Sequence, residues 1–545
     1  MLFFVLCSLF FASCFLLPAS CFLLPSRMKI PARTLLLVAM SLLLCSATST
    51  LSALSLHGIF VDHMVLQQDT QVRVWGWAEA GETVEVIPGW DEKEGAAAVE
   101  VAEDGKWSVM IKTPKADGKS YKLVAKAGAK TITVKDVVLG EVWLTGGQSN
   151  MSMGMTGWKE QPILGGPKDI AAASYPLIRV FNFRGGQRAT VADNISGGIW
   201  SVCTPEAVKG FSATAFYFAR EIHLEAKCPV GVIHTAVGGV KIERWIGREF
   251  FENDEELQPI LESWDKKNKV WETAALRAKQ DGRRAPRSPH DQMPCWAYNG
   301  IIAPLKNMTL RGMAWYQGEA NVKNGQQYRK LLPLMINNWR TDFGDPDLEF
   351  LMVQIANHTD GAMPWKLVPR YVGQPRESGH AEVREAQLMA TKLKNTGLAV
   401  AIDIGDSNCI HPKNKRDVGK RLALWTLAKH HGLDVVYSGP LYSGHDVEGG
   451  RIRVRFDHAE GGLLAKATGK LKGFAIAGKD RRFVWADAEI SEDGQSVLVS
   501  SSKVESPLAV RYAWDMDPDV SLYNAAKLPA SPFRTDDWRG IAYGK

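Results

Sequence analysis

Two different patterns of hydrophobic and polar residues alternate along the chain. Between residues 54 and 135, short segments of alternating polar and apolar residues are separated by glycine turns. A period of two residues is typical of half-buried strands in antiparallel sheets. These segments cover residues 71–77, 83–87, 106–111, 121–125 and 130–134. They predict an N-terminal β-sandwich domain over residues 54–135.

From residue 136 to residue 434, continuous apolar runs alternate with helical segments. Ser212 has a typical N-cap side chain before a helical pattern at 212–223, and a second helix is predicted at 418–428. Apolar strands separated by helices indicate an α/β domain whose mainly parallel sheet is covered on both faces. The runs are 137–144, 229–234, 310–319 (strand, then turn), 348–355 and 397–404.

Short alternating segments return near the end of the chain. Residues 451–456 and 496–500 are the clearest of them. They predict a C-terminal β-rich domain over residues 435–545.

The first 53 residues have the composition of a leader. After Met28, two basic residues precede the apolar run 35–44, and small residues follow as far as Ala53. This order is that of a secretory signal peptide. A second apolar block lies upstream, so we interpret Met28 as the true start; the alternative is an uncleaved membrane anchor. The mature protein is therefore predicted to be periplasmic or extracellular, without stable membrane insertion.

The net charge and the cysteine spacing indicate whether nucleic acid or a metal ion is a predicted partner. The net charge of +6 is small for 545 residues, and basic residues do not cluster with aromatic ones, so nucleic acid is not a predicted partner. Four of the eight cysteines lie in the leader. The others are widely spaced without a CxxC pair, so no metal site is predicted, whereas disulfides and free thiols both stay open. They are Cys203, Cys228, Cys295 and Cys409.

Ser149 is the first candidate for chemistry. It follows the apolar run 137–144 and two glycines, Gly146 and Gly147. Glycines permit the tight turn that exposes a nucleophilic serine, and the N–H group of that serine can help to stabilise an oxyanion. Taken alone, the pattern is only a glycine turn beside a polar residue.

Polar or glycine residues also follow three later strands. A serine esterase needs a nucleophile, a base and oxyanion donors, and the carboxyl ends of parallel strands meet at one edge of a sheet. We therefore expect these residues to gather near Ser149. They are Gly238 and Gly239, then Gln317 and Asn321, and finally Asp403, Asp406 and His411.

Four ordered blocks in this chain resemble the sialate O-acetylesterase family of the SGNH hydrolase superfamily. The resemblance covers nearly the whole mature chain and implies an SGNH-type sheet. It also implies that no cofactor is needed and that the substrate is an acetylated sugar. The blocks are residues 147–151 (GQSNM), 233–239 (IHTAVGG), 315–321 (WYQGEAN) and 410–413 (IHPK).

The resemblance also implies roles for individual residues. Ser149 would attack the acetyl carbonyl and His411 would take its proton. The oxyanion hole would consist of the N–H groups of Ser149 and of Gly238 or Gly239, together with the side-chain amide of Gln317 or Asn321. An acetyl-enzyme would then be hydrolysed to acetate.

One position departs from the family pattern. An aspartate commonly lies three residues before the histidine, and this chain has Asn408 there. Asp406 is the favoured alternative for orienting His411. The other two alternatives are Asp403 and a Ser-His dyad in which a backbone carbonyl holds the ring.

The sequence leaves three functions to compare. The first is an exported O-acetylesterase acting on sialic acid or a related sugar. The second has the same chemistry on acetylated xylan or another polysaccharide, and the third is a carbohydrate-binding protein with impaired catalysis. Lys241 and Arg244, after the second block, either contact an acidic sugar or are a solvated helix start.

Overall fold

The computed structural model describes residues 53–183, 185–186, 188–359, 374–466 and 469–541. Its N-terminal part has one antiparallel sheet in the order β1-β3-β6 and a second in the order β5-β4-β7-β8. Buried residues of both sheets, among them Val74 and Val84, belong to one apolar core. The strands are β1 (Ser55–Leu56), β2 (Val65–Gln67), β3 (Thr70–Trp77), β4 (Thr83–Pro88), β5 (Ala97–Glu100), β6 (Lys106–Thr113), β7 (Ser120–Ala127) and β8 (Lys130–Gly147).

Strand β8 belongs to two parts of the structure. Its first half pairs antiparallel with β7, and its second half, from Glu141 onward, enters the central sheet. Asp136 has a positive φ of 53° between the two halves. The sequence pattern changes there, so the predicted domain boundary at residues 135–136 lies inside one continuous strand.

The central sheet has the order β10-β9-β11-β8-β12-β13-β14. All neighbouring pairs from β9 to β14 are parallel, and β10 is an antiparallel edge strand. The predicted mixed α/β class is confirmed, and each predicted apolar run overlaps a strand. The new strands are β9 (Tyr175–Phe183), β10 (Gly198–Cys203), β11 (Val230–His234), β12 (Gly312–Tyr316), β13 (Glu349–Gln354) and β14 (Thr396–Val400).

Helices cover both faces of this sheet. Trp143 of β8 packs in a core with two of them, α4 and α9, whereas its neighbours Val142 and Leu144 lie in the core of α7 and α8. Alternate residues of a strand point to opposite faces, so one short run serves both cores. The helices are α1 (Ser149–Ser152), α2 (Gly166–Ala171), α3 (Pro205–Lys209), α4 (Ala213–Ala226), α5 (Arg248–Glu252), α6 (Gln258–Gln280), α7 (Gly325–Asp342), α8 (Gly379–Ala390) and α9 (Lys415–Lys429). Short 3-10 turns lie at Ile242–Trp245, Pro289–Gln292, Ala303–Leu305 and Glu319–Asn324, and a π turn at Tyr298–Ile302.

Antiparallel sheets form the C-terminal part, in the orders β15-β16-β21-β20, β19-β18-β22-β24 and β17-β23. Residues Ala53–Lys545 make one compact unit, and the three predicted domain ranges stay predictions. The strands are β15 (Leu441–Glu448), β16 (Arg451–Asp457), β17 (Leu463–Ala465), β18 (Phe474–Ala477), β19 (Val484–Trp485), β20 (Asp487–Ile490), β21 (Ser496–Ser500), β22 (Ala509–Tyr512), β23 (Leu522–Asn524) and β24 (Phe533–Arg534).

Residues 1–52 of the predicted leader lie outside the described residues. Within the described ranges, no helix is both long and apolar enough to span a membrane. The four cysteines beyond the leader are free thiols.

Arg384 on α8 joins the central sheet to the C-terminal part. Its fully buried guanidinium donates to the carbonyls of Ile355 and Ala356 after β13, and to those of Asp515 and Met516. A guanidinium has five N–H donors in a planar fork, so one side chain satisfies four buried acceptors.

We expect Arg384→Lys to lower the free energy of unfolding by about 3 kcal/mol or more, because an ammonium cannot reach all four carbonyls and leaves buried acceptors unpaired. Urea unfolding followed by circular dichroism measures the change. Arg277→Lys, at an exposed site on α6, is the matched control and should unfold like the wild type. Equal midpoints for the two variants would contradict this account of Arg384.

Candidate active site

The turn after β8 places Ser149 at the carboxyl edge of the sheet. Gly147 has a φ of 137°, and a Cβ atom there would lie 2.1 Å from the carbonyl oxygen of Tyr316, so only glycine fits. The Gln148 N–H donates to that carbonyl at 3.0 Å, and the Val237 N–H donates to the carbonyl of Gly147 at 3.0 Å. Strands β11 and β12 therefore hold both sides of the turn.

His411 lies beside this turn, in the loop between β14 and α9. Its Nε2 atom is 2.9 Å from the Oγ atom of Ser149, although 262 positions separate the two residues in the sequence. The ring of Trp158 packs edge-on against the imidazole, with the centroids 4.5 Å apart. Nucleophile and base are thus within hydrogen-bond reach, as general-base catalysis requires.

The imidazole is in an environment that disfavours its charged form. Burial lowers the pKa of His411 to about 4, and the positive charge of Lys415 and the nearby His358 act in the same direction. The ring is therefore neutral at pH 7 and can accept a proton from Ser149.

Backbone N–H groups beside Ser149 are available to an oxyanion. A Cβ atom added to Gly238 would lie 4.0 Å from the Cβ atom of Ser149, so this glycine is adjacent to the nucleophile. Gly239 follows in the left-handed region, with a φ of 68°. In the described part of the chain, the N–H groups of Ser149, Gly238 and Gly239 donate to no protein acceptor. Unpaired donors close to the nucleophile are what an oxyanion hole needs, and the part of these three residues in it stays a prediction.

The amides of Gln317 and Asn321 connect neighbouring loops. The Gln317 Nε2 atom donates to the carbonyl of Val240 at 3.2 Å and to the Oδ1 atom of Asn321 at 2.8 Å, which uses both of its hydrogens. The Asn321 Nδ2 atom donates to Glu243 at 2.9 Å. Both residues hold the third block against residues 240–243, and their part in the oxyanion hole stays a prediction.

Neither candidate aspartate contacts the histidine. The Oδ1 atom of Asp406 accepts the backbone N–H of Asn408 at 3.0 Å, and Asp403 forms a two-pronged ion pair with Arg421 at 2.6 and 2.9 Å. Among the residues that the structure describes, His411 has no carboxylate or carbonyl partner for its second nitrogen. Asp406 as the orienting acid stays a prediction without a contact to support it, and Asp403 is committed to Arg421.

A buried polar cluster behind Ser149 was not identified from the sequence. The Asn150 Nδ2 atom donates to Glu319 at 2.6 Å and to the carbonyl of Ile410 at 2.9 Å, and its Oδ1 atom accepts from the Lys415 ammonium at 2.5 Å. Lys415 was the available signal, because a lysine in the first turn of a helix opposes the helix dipole and so indicates another role.

A cavity of about 590 Å³ begins beside the second and third blocks. Gly239 and Ala320 form its side toward Ser149, and Trp264 contributes an aromatic wall. Its charged lining has three basic side chains and one acidic one, which are Lys241, Arg244, Lys267 and Glu243.

A separate cluster has the residue types of a metal site. Ligand atoms of Glu141, His430 and His431 lie within 4.8 Å of one another. Glu141 lies at the opposite end of the sheet from Ser149, where its carboxylate already accepts from Arg311 and Gln68 at 3.0 Å each. The carboxylate of Glu141 is thus already paired with Arg311, away from the candidate active site.

Comparisons with known proteins find similarity to carbohydrate esterases. Residues 292–427 match the family model "Carbohydrate esterase, sialic acid-specific acetylesterase". The chain is 27% identical to the sialate O-acetylesterase of Mus musculus, over 87% of this chain and 92% of the relative. The sialate O-acetylesterase of Homo sapiens is 26% identical, over 86% of this chain and 90% of the relative.

A solved structure extends the match to the fold. A carbohydrate acetylesterase from Xanthomonas citri is 33% identical, and the alignment covers 89% of this chain and 100% of that one with a TM-score of 0.75. Full coverage of this relative, together with the family model, shows that the chain belongs to the sialic acid-specific acetylesterase family of carbohydrate esterases.

Proposed function

We propose that this protein is an exported serine esterase that removes O-acetyl groups from sialic acid or a related acidic sugar. Membership of the family establishes the coarser activity, that of a carbohydrate esterase. The observation that carries the serine mechanism is the 2.9 Å contact between the Ser149 Oγ atom and the His411 Nε2 atom.

In this mechanism Ser149 attacks the acetyl carbonyl carbon while its proton passes to the Nε2 atom of His411. The negative charge on the carbonyl oxygen is stabilised by the N–H groups of Ser149 and of Gly238 or Gly239, each worth roughly 3 kcal/mol of the barrier. His411 then gives the proton to the departing sugar oxygen. A water molecule then attacks the acetyl-enzyme while His411 takes its proton, and His411 returns that proton to the Ser149 Oγ atom as the ester bond breaks and acetate leaves.

The contacts favour a Ser-His dyad over a triad. A carboxylate on the second ring nitrogen would stabilise the imidazolium and raise its pKa, whereas the surroundings of His411 lower it to about 4. In a dyad the imidazole of His411 is a weaker base than in a triad, but it stays neutral over a wider pH range.

The charged cavity supports an acidic sugar as the substrate. It is contiguous with Gly239, next to the proposed oxyanion hole, and basic residues outnumber acidic ones in its lining. A neutral acetylated polysaccharide is the second candidate substrate.

We expect Ser149→Ala to lower kcat for acetate release by about 10⁴-fold or more, since it removes the atom that forms the acetyl-enzyme. Release of acetate from 4-nitrophenyl acetate and from acetylated sialosides measures this. Ser174→Ala, at an exposed site, is the control. A wild-type protein that releases no acetate but binds these sugars would instead be a carbohydrate-binding protein.

We expect Asp406→Asn to keep kcat within about threefold of the wild type, because the carboxylate contacts the N–H of Asn408 and not the ring. Replacing a true triad aspartate costs roughly 10⁴-fold. Steady-state kinetics on 4-nitrophenyl acetate distinguish the two. A loss near the larger value would restore Asp406 as the third member of a triad.

We expect the double variant Lys241→Gln with Lys267→Gln to raise KM for an acetylated sialoside by roughly three- to tenfold, with little change for acetylated xylan. The two charges attract a carboxylate, so the effect should shrink at high salt. Lys269→Gln, on the same helix as Lys267 but outside the cavity lining, is the control. Faster turnover of xylan than of sialosides by the wild type would favour the polysaccharide substrate.

A further inference from the structure

The loop that carries His411 is held through its backbone. The carbonyl of Ile410, the residue before the histidine, accepts from the Asn150 Nδ2 atom at 2.9 Å. The Sγ atom of Cys409 lies 3.4 Å from both the backbone nitrogen and the carbonyl oxygen of His411. These contacts hold the backbone from which the imidazole projects, while Ser149 and Trp158 contact the ring itself.

Asn150 is itself fixed on three sides. Its side chain is fully buried, and a lysine can only donate hydrogen bonds, so Lys415 requires the Oδ1 atom to face its ammonium. The Nδ2 atom must then face Glu319 and Ile410. A rotation of the amide by half a turn would place donors against the ammonium and break all three contacts.

Burying the ammonium of Lys415 in this position costs free energy. Its side chain is fully buried at the start of α9, and its ammonium lies 5.3 Å from the ring centre of Tyr316. Burying an ammonium costs several kcal/mol unless it is well paired, and its hydrogen bond is to the neutral amide of Asn150. Glu319 is on the other side of the same amide and favours the charged form of Lys415, so Lys415, Asn150 and Glu319 form one buried polar network behind the histidine loop.

We propose that Lys415 is a positioning residue for His411, acting through the amide of Asn150 on the carbonyl of Ile410 and through its own positive charge on the ring. This inference rests on the proposed serine mechanism. It assigns to Lys415 and Asn150 the orienting role that an aspartate has in a triad, with the opposite electrostatic effect on the imidazole.

The charges around these groups agree with that role. Besides Lys415, His358 also opposes protonation of His411. Glu319 and Cys409 favour the charged form of Lys415 and so raise its pKa. Burial lowers the pKa of Lys415 to about 7, and burial also raises the pKa of Glu319. Below pH 7 the ammonium is therefore charged, and it opposes protonation of His411 in the range where the ring titrates.

The test is the titration of His411 followed by NMR of protein with 13C-labelled histidine rings, its signal assigned with His411→Gln. We expect the wild-type midpoint near pH 4, and a higher midpoint in Lys415→Gln and Lys415→Met because the opposing charge is gone. Lys420→Gln, on the same helix, is the control and should titrate like the wild type. Thermal unfolding of each variant shows whether it is folded.

Kinetics provide the second readout. We expect kcat on 4-nitrophenyl acetate at pH 7 to fall roughly tenfold or more in Lys415→Met and Asn150→Ala with KM nearly unchanged, because a displaced imidazole slows the chemical step. An unchanged His411 midpoint in both folded Lys415 variants would overturn the inference. An inactive wild type would overturn only the proposed function, since the NMR titration needs no turnover.

Discussion

The hydrogen-bonded end of β8 is the constraint on which the site depends. Strands β11 and β12 pair with β8 in parallel up to Thr145 and Gly147, and the ladder continues one step into the turn through the backbone of Gln148. Because Gly147 has no room for a side chain, the position of Ser149 follows from the pairing of three strands. The same parallel arrangement brings the loops after β11, β12 and β14 to one edge, so glycine donors and histidine meet the serine there.

Neutral groups do most of the orienting at this edge. Gln148, Asn150, Gln317 and Asn321 are buried, and each bridges two or more loops. A side-chain amide can donate and accept without carrying charge into a low dielectric, so it costs less to bury than a carboxylate. The ammonium of Lys415 is a buried charge that acts on His411, and its sign favours a neutral imidazole.

Prediction from sequence succeeded where the signal is local. The runs that became β8, β11, β12, β13 and β14 are nearly continuously apolar, and the segment opened by Ser212 has both a helical period and a cap that accepts from the Ala215 N–H. Strand β9 was missed because Arg179 interrupts its apolar pattern, and that arginine is buried through a salt bridge with Asp136 at 2.9 Å. Strands of two to four residues, such as β1 and β2, are too short to show a period.

The sequence by itself determined the order of the strands and the turn glycines, since strand period and glycine turns depend on residues close along the chain. The choice of Ser149 and His411 also rested on the sequence, through the resemblance of the four ordered blocks to a known family. Only the tertiary structure decided what surrounds them. In the folded protein Asp403 pairs with Arg421, Asp406 accepts from the N–H of Asn408, and Lys415 donates to Asn150. Side chains at strand ends choose partners from loops that are distant in sequence, and the energy of a buried polar group depends on which of them it reaches.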